Sequence, residues 1–312
     1  MAKTLDYILT GATGGLGRAF IDYINDKDSI LALGRNEVIG ASLNANFKKC
    51  DLSNLDEVLN VFSKANCLIH SAALSSAWGS LDEFYKHNVL ATSNIIKAAK
   101  EHCIEKIIFI SSPSIYFDYT NRFNIKEDLV IKKFASLYTY TKFLAEHLVL
   151  ASGLKYVILR PRGIFGEYDN VLLPRLKKLN FMPLVNDEVI CDITYSANVA
   201  HAIYLASKYD ENLVFNITND ESLKLKDIYT LIQDILEPNL KIKKVNQKAL
   251  KIFANTSELL AKAKLIKEPL ITNYTLGLIS YSQTLDISKA KEILGYEPIY
   301  SIKDGLLKCK AK

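Results

Sequence analysis

Tyr138 and Lys142 have the side chains and the spacing of an acid/base pair on a helix. Residues four apart lie on one face of a helix, about one turn from each other, and residues 138–150 have a helical pattern. A free tyrosine has a pKa of about 10, and a neighbouring cation favours the phenolate. Because acid/base catalysis is most efficient when the pKa is near the working pH, Lys142 would make Tyr138 a better base. The Tyr-x-x-x-Lys pattern is common by chance, so it needs a second element.

Ser112 is that second element. It follows an apolar run over residues 106–110 that predicts a strand. Ligands of open α/β sheets bind beyond the carboxyl ends of the strands, where the Ser112 hydroxyl could hydrogen-bond a substrate carbonyl or hydroxyl. Ser112, Tyr138 and Lys142 therefore form a candidate catalytic group. The alternative is a degenerate chain that keeps these residues without catalysis.

A glycine-rich turn, Gly11-Ala-Thr-Gly14-Gly-Leu-Gly17, connects the strand pattern of residues 7–10 with the helical pattern of residues 16–24. Gly11 permits the tight turn, Gly14 lets the backbone approach a pyrophosphate, and Gly17 allows helix and strand to pack closely. The helix N-terminus then offers free N–H groups and a positive dipole end to phosphates. The turn predicts a nicotinamide dinucleotide site; the alternative is a structural turn without a ligand.

Two residues that follow the next strands bear on which dinucleotide would bind. The second predicted strand runs into Leu33-Gly34-Arg35, where an NAD(H) site would have Asp or Glu to bind the ribose 2′-hydroxyl. Arg35 instead offers a cation for a 2′-phosphate, which favours NADP(H) over NAD(H); the alternative is an exposed surface arginine. Asp51, after the third strand, is placed to accept from the adenine amino group, or alternatively to cap the following helix.

Short apolar runs and helical patterns alternate up to about residue 160. The predicted strands are residues 7–10, 30–33, 47–49, 67–70, 106–110 and 156–159, and the predicted helices are residues 16–24, 55–62, 84–99 and 138–150. This alternation predicts a parallel sheet covered on both faces, with right-handed crossovers. Ser53, with Asp56 three residues later, predicts a capping box at the start of the second helix.

Beyond residue 160 the alternation loosens, with further strands expected at residues 214–217 and 241–245. We expect an α/β protein with a Rossmann-type doubly wound parallel sheet and a smaller, mainly helical C-terminal substrate lobe. The dinucleotide-binding domain would comprise residues 1–160 with residues 196–218 returning to it. The substrate-binding lobe would comprise residues 161–195 and 219–312.

The charge balance and the spacing of metal-binding residue types argue against other classes. The net charge of +5 comes from scattered Lys and Arg, which is typical of a solvated surface and not of a nucleic-acid footprint. No C-x-x-C, H-x-x-x-H or H-E-x-x-H pattern occurs, so no metal site is expected. No run of apolar residues is long enough to predict a membrane span, and Asp6 argues against a signal peptide. We expect a cytoplasmic protein with reduced thiols.

Together, the motifs resemble those of the extended short-chain dehydrogenase/reductase superfamily, the NAD(P)-dependent epimerase/dehydratase family. They are most similar to its 3β-hydroxysteroid dehydrogenase-like branch. The resemblance extends along nearly the whole chain. The motifs that carry it are Thr10-Gly-Ala-Thr-Gly-Gly-Leu-Gly17, His70-Ser-Ala-Ala73, His87-Asn88-Val89, Ser111-Ser112, Tyr138 through Lys142, Leu159-Arg-Pro-Arg-Gly-Ile-Phe-Gly166 and Asp286-Ile-Ser-Lys-Ala-Lys-Glu-Ile-Leu-Gly-Tyr-Glu-Pro298.

The resemblance implies a role for each matching residue. Tyr138 would be the general acid/base, Lys142 would hold the nicotinamide ribose and lower the tyrosine pKa, and Ser112 would orient the reacting oxygen. Asn88 would support the lysine side of the site through backbone or water contacts. Tyr140, which lacks a lysine four residues on, is expected to pack or to contact substrate. The residues expected to bind the cofactor are Gly11, Thr13, Gly14, Gly15, Leu16, Gly17, Arg35, Asp51, Leu52, Ser71, Ala72, Ala73, Tyr138, Lys142, Pro161 and Ile164.

Departures from related subfamilies narrow the expected reaction. Sugar dehydratases carry an acidic pair where this chain has Pro113-Ser114, which argues against a dehydratase. Nucleotide-sugar epimerases usually bind the substrate diphosphate with an arginine at the position of Cys191. Arg162 or Arg175 could replace that arginine, although either could equally form a surface or interdomain salt bridge.

Other segments resemble the 3β-hydroxysteroid dehydrogenase branch, which acts on apolar substrates. They are Ala73-Leu-Ser-Ser-Ala-Trp-Gly79, the Leu159 to Gly166 motif and Asp192-Ile-Thr-Tyr-Ser-Ala-Asn-Val-Ala200. Residues 171–173 and 274–281 of the expected substrate lobe are mostly apolar, and Trp78 could wall a pocket near the nicotinamide. Such apolar stretches are more often ordinary core.

We therefore expect an NADP(H)-dependent oxidoreductase that interconverts a ketone and a secondary alcohol on a small or apolar substrate, sterol-like or 3-oxoacyl-like. One alternative is a nucleotide-sugar epimerase with tightly bound NAD(P). The other is a non-catalytic NADP-sensing regulator, although such regulators commonly lose the tyrosine or the lysine. The resemblance also allows a homodimer in which the helices at residues 84–99 and 138–150 form a four-helix bundle.

Overall fold

The computed structural model describes residues 4–169 and 172–311. The side chains of Leu172, Leu173, Arg175 and Lys177 are not described either. The substrate contacts expected at residues 171–173 and at Arg175 therefore lie outside the described part of the protein.

The strands of the described ranges follow the predicted ones closely in the first half of the chain. They are β1 (Leu5–Thr10), β2 (Ile30–Gly34), β3 (Asn46–Lys49), β4 (Ala65–His70), β5 (Lys106–Ile110), β6 (Arg122–Ile125), β7 (Lys155–Pro161), β8 (Ile164–Phe165), β9 (Phe181–Leu184), β10 (Ile190–Cys191), β11 (Thr194–Tyr195), β12 (Leu213–Ile217), β13 (Leu223–Lys224), β14 (Lys241–Lys244) and β15 (Gln283–Leu285).

The helices alternate with these strands. They are α1 (Gly15–Tyr23), α2 (Glu37–Ala41), α3 (Leu55–Val61), α4 (Leu81–Phe84), α5 (Ala91–Glu101), α6 (Leu137–Leu150), α7 (Leu172–Leu179), α8 (Ser196–Ser207), α9 (Leu225–Ile235), α10 (Gln247–Lys262), α11 (Asn273–Leu278), α12 (Ser288–Leu294) and α13 (Ile302–Lys310). A π-helical segment, Tyr85–Leu90, joins α4 to α5. Among the described residues, no helix is long and apolar enough to cross a membrane.

Seven parallel strands form the central sheet, in the order β12-β7-β5-β4-β1-β2-β3. Successive residues of a strand point to opposite faces, and Ile8 and Leu9 of β1 accordingly belong to different apolar cores. Phe20 of α1 and residues of α8 cover one face, while Ile95 of α5 and Val149 of α6 cover the other. The predicted Rossmann-type doubly wound sheet is confirmed.

The strand order reverses between β1 and β4. The chain continues from β1 to β2 and β3 on one side, and from β4 to β5 and β7 on the other, which leaves a crevice beyond the carboxyl ends of β1 and β4. Thr10 and His70 end these strands and lie opposite each other in the register. The turn that begins at Gly11 and the segment that begins at Ser71 therefore start side by side at this crevice.

Helices and short strands make up the parts outside the central sheet. One mixed sheet has the order β13-β10-β15-β6, β9 pairs with β14, and β8 pairs with β11. All eight of these strands have two to four residues, which leaves little periodic pattern. The sequence predicted β14, at residues 241–245, and missed the other seven. The C-terminal lobe remains mainly helical, while its division from the first domain at residue 160 stays a prediction.

The start of α3 differs from the prediction. Asn54 is the N-cap residue, and its side-chain oxygen accepts from the backbone N–H groups of Asp56 and Glu57. The hydroxyl of Ser53 donates instead to Asp51 (2.8 Å). The predicted capping box of Ser53 and Asp56 is therefore wrong, because the chain turns through Asp51 before the helix begins one residue later.

Candidate active site

The glycine-rich turn leaves no room for side chains where the strand, the turn and α1 meet. Gly11 has a φ of +70°, and a Cβ there would lie 2.8 Å from the backbone nitrogen of Ala72. A Cβ on Gly17 would lie 2.3 Å from the carbonyl oxygen of Gly11. Gly14 is the N-cap of α1 and offers no side-chain hydrogen bond to the helix. The first N–H groups of α1 thus remain available to an anion.

A directed chain of buried hydrogen bonds runs beneath this turn. The N–H of Ala72 donates to Thr10 Oγ1 (3.3 Å), which lies 2.7 Å from His70 Nδ1. His70 Nε2 lies 2.9 Å from Thr92 Oγ1, whose proton goes to the carbonyl of Asn88 (2.6 Å). Because Thr92 has only that proton to give, Nε2 of His70 donates to it and Nδ1 accepts from Thr10. Burial lowers the pKa of His70 to about 3, so the ring is neutral.

Asn88 connects the loop after β4 to α6. It lies in the π-helical segment, where the sequence predicted uninterrupted helix, because a π-helical turn inserts one residue that apolar spacing does not reveal. Its Oδ1 accepts from the backbone nitrogen of Leu74 (2.7 Å), and its Nδ2 donates to Thr141 Oγ1 (3.1 Å). Asn88 therefore holds α6 next to Lys142 through a side-chain contact rather than through its backbone.

Cations and a carboxylate lie beyond the ends of β2 and β3. Arg35 is exposed directly after β2. Partial burial would raise the pKa of Asp51, but hydrogen bonds from Ser53 and the charges of Lys86 and Arg35 hold it below its ordinary value. Asp51 does not cap α3, as the alternative reading supposed, since Asn54 does so. Lys86 is distant in sequence, and no pattern indicated that it would lie here.

Several side-chain hydroxyl groups meet beyond the carboxyl end of β5. Ser112 lies at the start of the turn Pro113–Tyr116, with its Oγ 2.8 Å from Ser114 Oγ. Tyr138, in the first turn of α6, hydrogen-bonds Ser112 and Ser75. Burial raises the pKa of Tyr138, and these two hydrogen bonds offset part of the increase. The structure thus brings Ser112 and Tyr138 together; no sequence pattern indicated Ser75.

Lys142 is buried below this group, with 2% of its surface exposed. Its Nζ donates to the carbonyl of Ile110 (2.7 Å) and lies 4.2 Å from the centre of the Phe109 ring. Burial lowers the pKa of Lys142 to about 7, against an opposing effect of Glu146. The Lys142 ammonium is directed at a carbonyl and burial raises the pKa of Tyr138, so the lowering of that pKa by Lys142 stays a prediction.

Glu146, one turn after Lys142, is the centre of a buried polar cluster. Its carboxylate accepts from Ser111 Oγ (2.5 Å) and from Arg160 Nε (3.1 Å), and it forms an ion pair with Arg160. Arg160 also donates to the hydroxyl of Tyr116. These contacts fix α6 against β5 and β7 with both charges compensated. The spacing of four from Lys142 was the one signal in the sequence for Glu146.

The other residues expected at the cofactor lie around the same crevice. The Ser71 hydroxyl donates to the Thr10 carbonyl (2.7 Å), and the Thr13 side chain lies 2.9 Å from where a Cβ on Gly34 would be. Gly15 and Leu16 begin α1, Leu52 follows β3 and Ala73 follows β4, while Pro161 ends β7 and Ile164 begins β8.

Tyr140 lies on the other side of α6. It is exposed, and its ring packs 5.2 Å from that of Phe134, which favours the packing role over substrate contact.

A cavity of about 180 Å³ lies beside the cluster of hydroxyls formed by Ser112, Ser75 and Tyr138. Ser75, which hydrogen-bonds Tyr138, is part of its wall. The lining is mixed, with apolar side chains and one ion pair, Lys178 with Glu268 (2.8 Å). The lining residues are Ser75, Ala77, Trp78, Pro174, Lys178, Glu268, Pro269, Leu270, Thr272 and Thr275.

Comparisons with known proteins agree with this architecture. Residues 8–222 match the model of the 3-beta hydroxysteroid dehydrogenase/isomerase family. The chain is 33% identical to the uncharacterised protein YbjS of Escherichia coli strain K12, over 97% of this chain and 96% of that protein. It is 28% identical to the 2-alkyl-3-oxoalkanoate reductase of Shewanella oneidensis, over 99% of this chain and 87% of the reductase. The crystal structure of UDP-glucuronic acid 4-epimerase from Bacillus cereus superposes with a TM-score of 0.75, at 20% identity, over 97% of this chain and 94% of that one.

The glycine turn, the strand order and these matches define the class of protein. It is an extended short-chain dehydrogenase/reductase, an NAD(P)-dependent enzyme of the oxidoreductase type. Within that class, the chain belongs to the 3-beta hydroxysteroid dehydrogenase/isomerase family. The epimerase, at its low identity, shares the fold.

Proposed function

We propose that the protein is an NADP(H)-dependent oxidoreductase that interconverts a ketone and a secondary alcohol on an apolar substrate, sterol-like or 3-oxoacyl-like. The observation that carries the proposal is the meeting of the Ser112 and Tyr138 hydroxyls beside a cavity, with Lys142 one turn along the same helix. Two hydroxyls at one point can both bind a single substrate oxygen. The family name and the name of the Shewanella oneidensis relative, which refer to a hydroxysteroid and to a 3-oxoalkanoate, support this substrate class.

A nicotinamide dinucleotide fits the crevice between β1 and β4. A side chain at Gly11, Gly14 or Gly17 would press against neighbouring backbone atoms, so glycine keeps the turn compact. The free N–H groups at the start of α1 suit a pyrophosphate. The cations Arg35 and Lys86 near Asp51 favour a 2′-phosphate, and hence NADP(H). When bound, the nicotinamide supplies or accepts a hydride.

The protein's own groups handle the proton and the orientation. Tyr138 gives its phenolic proton to the substrate oxygen in reduction and takes it back in oxidation. Ser112 holds that oxygen by a second hydrogen bond. Lys142, with a pKa of about 7, would bind the nicotinamide ribose and, when protonated, favour the phenolate. Asn88 keeps the loop at Leu74 and α6 in place around them.

The substrate would lie mainly against the C-terminal lobe, residues 161–195 and 219–312. Pro174, Pro269 and Leu270 supply apolar walls to the cavity from these segments, and Trp78 faces them from the loop after β4. A site lined in this way takes an apolar body and leaves only the reacting end to the hydroxyls.

The test is a substrate panel with purified protein, followed by NADPH and NADH absorbance. We expect turnover of 3-oxoacyl or steroid ketones with NADPH. The Tyr138→Phe variant should lose turnover by about 100-fold or more and keep its NADPH affinity, while Tyr140→Phe on the same helix should keep both. Near-normal turnover by Tyr138→Phe would contradict the mechanism.

The same panel separates the two alternatives. A nucleotide-sugar epimerase would interconvert UDP-sugars without net change in cofactor absorbance, and a regulator would bind NADPH without turnover of any substrate. The position of the epimerase arginine is Cys191, which is 7% exposed and cannot pair with a phosphate.

A further inference from the structure

α10 presents large apolar side chains to solvent and small side chains to the core. Its buried residues are Ala254, Ser257 and Ala261, and Ala254 shares an apolar cluster with α11. Ile252 and Leu259, in contrast, are each 67% exposed. A helix that packed only for stability would have the opposite arrangement, because burying a large apolar side chain stabilises a fold more than burying a small one. The exposed side of α10 is therefore a candidate for contact with a partner.

The exposed apolar side chains of α10 form a continuous strip. Ile252 and Leu259 are seven residues apart, about two turns, so they lie above one another, and Phe253 and Leu260 repeat this spacing one residue on. Past the end of the helix, the backbone N–H of Leu265 donates to the carbonyl of Leu260 (2.9 Å), which fixes the turn. Leu265 itself is 71% exposed. The strip therefore continues from the helix into the turn that ends it.

Lysines accompany this apolar strip. Lys and Arg are scattered through most of the chain, but residues 247–267 contain five lysines and one glutamate, a net charge of +4 compared with +5 for the whole chain. Glu258, the glutamate, is half-buried, and its two oxygens accept from the backbone and side-chain nitrogens of Asn273 (2.7 and 3.1 Å). Within residues 4–169 and 172–311, no ion pair joins the lysines of this segment to an acidic side chain. These exposed lysines are Lys248, Lys251, Lys262, Lys264 and Lys267.

An anionic lipid surface is the partner that best fits the exposed side of residues 247–267, here called the α10 surface. Helices that lie in a membrane interface combine Phe and Leu on one side with Lys on the other, so that apolar side chains enter the lipid and lysines pair with its phosphates. Protein interfaces, by contrast, are depleted in lysine. A symmetric contact with a second copy would also bring two equal sets of lysines together, and like charges repel.

The α10 surface adjoins the wall of the cavity. Glu268, Pro269 and Leu270 line the cavity and directly follow Lys267 in the chain. Leu270 is 52% exposed, so an apolar side chain of the cavity wall is also accessible from outside. α10 packs on α11, whose N-cap residue Thr272 belongs to the same wall. A membrane bound to the α10 surface would therefore lie close to the cavity.

We propose that the α10 surface docks the protein on an anionic lipid membrane, with the cavity held at the lipid surface. In such a contact the helix lies in the plane of the interface and does not cross the membrane. An apolar substrate dissolves in lipid, so docking would let it reach the cavity without passing through water. This consequence rests on the proposed function, whereas the docking itself does not.

Cosedimentation with sucrose-loaded vesicles tests the docking without substrate or cofactor. We expect the wild type to bind vesicles of phosphatidylcholine with phosphatidylglycerol at least about 10-fold more tightly than vesicles of phosphatidylcholine alone. Ile252→Ser with Leu259→Ser should weaken binding to the anionic vesicles by about 100-fold or more, because two apolar side chains no longer leave water. Lys251→Gln with Lys262→Gln should weaken it by about 10- to 30-fold. Salt at about 0.5 M should weaken binding of the wild type, because it screens the lysines.

Matched pairs of exposed residues on other helices serve as controls. Ile293→Ser with Leu307→Ser matches the apolar pair, since these side chains are 41% and 47% exposed on α12 and α13. Lys97→Gln with Lys100→Gln matches the lysine pair, since both lysines are exposed on α5. Both control pairs should bind vesicles as the wild type does. All four double variants should keep the wild-type melting temperature within about 2 °C, because they change exposed side chains only.

Two results would overturn the docking. One is a wild type that does not bind the anionic vesicles, or whose binding neither α10 pair weakens. The other comes from light scattering without vesicles, in which Ile252→Ser with Leu259→Ser should have the wild-type mass. If that variant has half the mass of the wild type, the α10 surface joins two copies of the chain and not the chain to a membrane.

Trp78 tests whether the cavity lies at the membrane. It is the one tryptophan of the chain, and it lines the cavity. Vesicles that contain brominated phosphatidylglycerol should quench its fluorescence in the wild type and not in Ile252→Ser with Leu259→Ser. Binding without quenching would overturn the position of the cavity at the lipid. Because these measurements contain no substrate, failure of docking leaves the proposed reaction intact, and a lack of turnover in the substrate panel leaves the docking intact.

Discussion

At the scale of single residues, burial controls the charges of the candidate site. Burial removes the Lys142 ammonium from water, which lowers its pKa to about 7. Burial would likewise remove a Tyr138 phenolate from water, which raises the pKa of Tyr138. The nearby pair of Glu146 and Arg160 is compensated internally. Lys142 is therefore one group through which pH acts on both the site and the stability of the fold.

The stability of the protein should accordingly depend on Lys142. The unfolded chain keeps the lysine proton up to about the ordinary pKa of 10.5, whereas the folded chain loses it near pH 7. Between these pH values the unfolded chain binds more protons, so this group makes the free energy of unfolding rise with pH. Urea denaturation between pH 7 and pH 9 should show a flatter rise for Lys142→Met than for the wild type. Lys251→Met, at an exposed position of α10, should keep the wild-type slope; equal slopes for all three proteins would contradict the prediction.

Cofactor choice should depend on Arg35. Arg35→Asp should raise the Kd for NADPH by about 10- to 150-fold, as expected for losing hydrogen bonds to a charged group. The Kd for NADH should change much less, because the new carboxylate can accept from the ribose 2′-hydroxyl. Fluorescence titration measures both constants, and Arg122→Asp serves as the control. Equal losses for the two cofactors would show that Arg35 does not read the 2′-phosphate.

At the scale of elements, the glycine-rich turn has the tightest packing of the site. A Cβ would meet backbone at 2.3 Å on Gly17 but at 3.2 Å on Gly14, and would meet nothing within 4 Å on Gly153. Backbone cannot move aside as a flexible side chain can. Packing of α1 on β1 therefore depends on Gly17 in particular.

Gly17→Ala should displace α1 from the turn. We expect the free energy of unfolding to fall by about 1–3 kcal/mol and NADPH affinity to fall with it, because the N–H groups of α1 lose their position. Gly153→Ala is the control: its φ of +76° strains an alanine, but it stands in open space far from the turn in sequence. It should lose stability and keep NADPH affinity. Intact NADPH binding by a folded Gly17→Ala variant would contradict this account.

Local patterns predicted the elements of the central sheet, and long-range contacts supplied the rest. β5 was predicted at its observed bounds because five consecutive residues are buried on both faces of the sheet. The two-residue strands β8, β10 and β11 leave no periodic signal. In the site, Ser112, Tyr138 and Lys142 had recognisable spacings, whereas the places of Ser75 and Lys86 depend on contacts between distant segments.

At the scale of the whole molecule, exposed apolar side chains lie on α4, on the π-helical segment that follows it and on α6. Such a surface marks an interface in many proteins. We propose that it forms the four-helix bundle of a homodimer. The exposed apolar residues of this region are Leu81, Tyr85, Leu90, Leu137, Tyr140 and Leu150.

Light scattering tests the dimer directly. The wild type should have twice the 35.0 kDa mass of one chain, and Leu90→Glu combined with Tyr140→Glu should have the mass of one. Leu259→Glu on α10 is the control, since Leu259 is also exposed but lies on another surface. A monomeric wild type, or a dimer that survives the double substitution, would contradict the proposal.

The hydrogen-bond chain beneath the glycine turn has one further consequence. Every hydroxyl from Thr10 to Thr92 already gives its proton in one direction, and the neutral His70 ring has no extra proton to pass on. Conduction would require every member to rotate in turn. Because the chain begins at the backbone N–H of Ala72 and ends at the backbone carbonyl of Asn88, neither end can supply or accept a proton, and the chain does not conduct protons to the site.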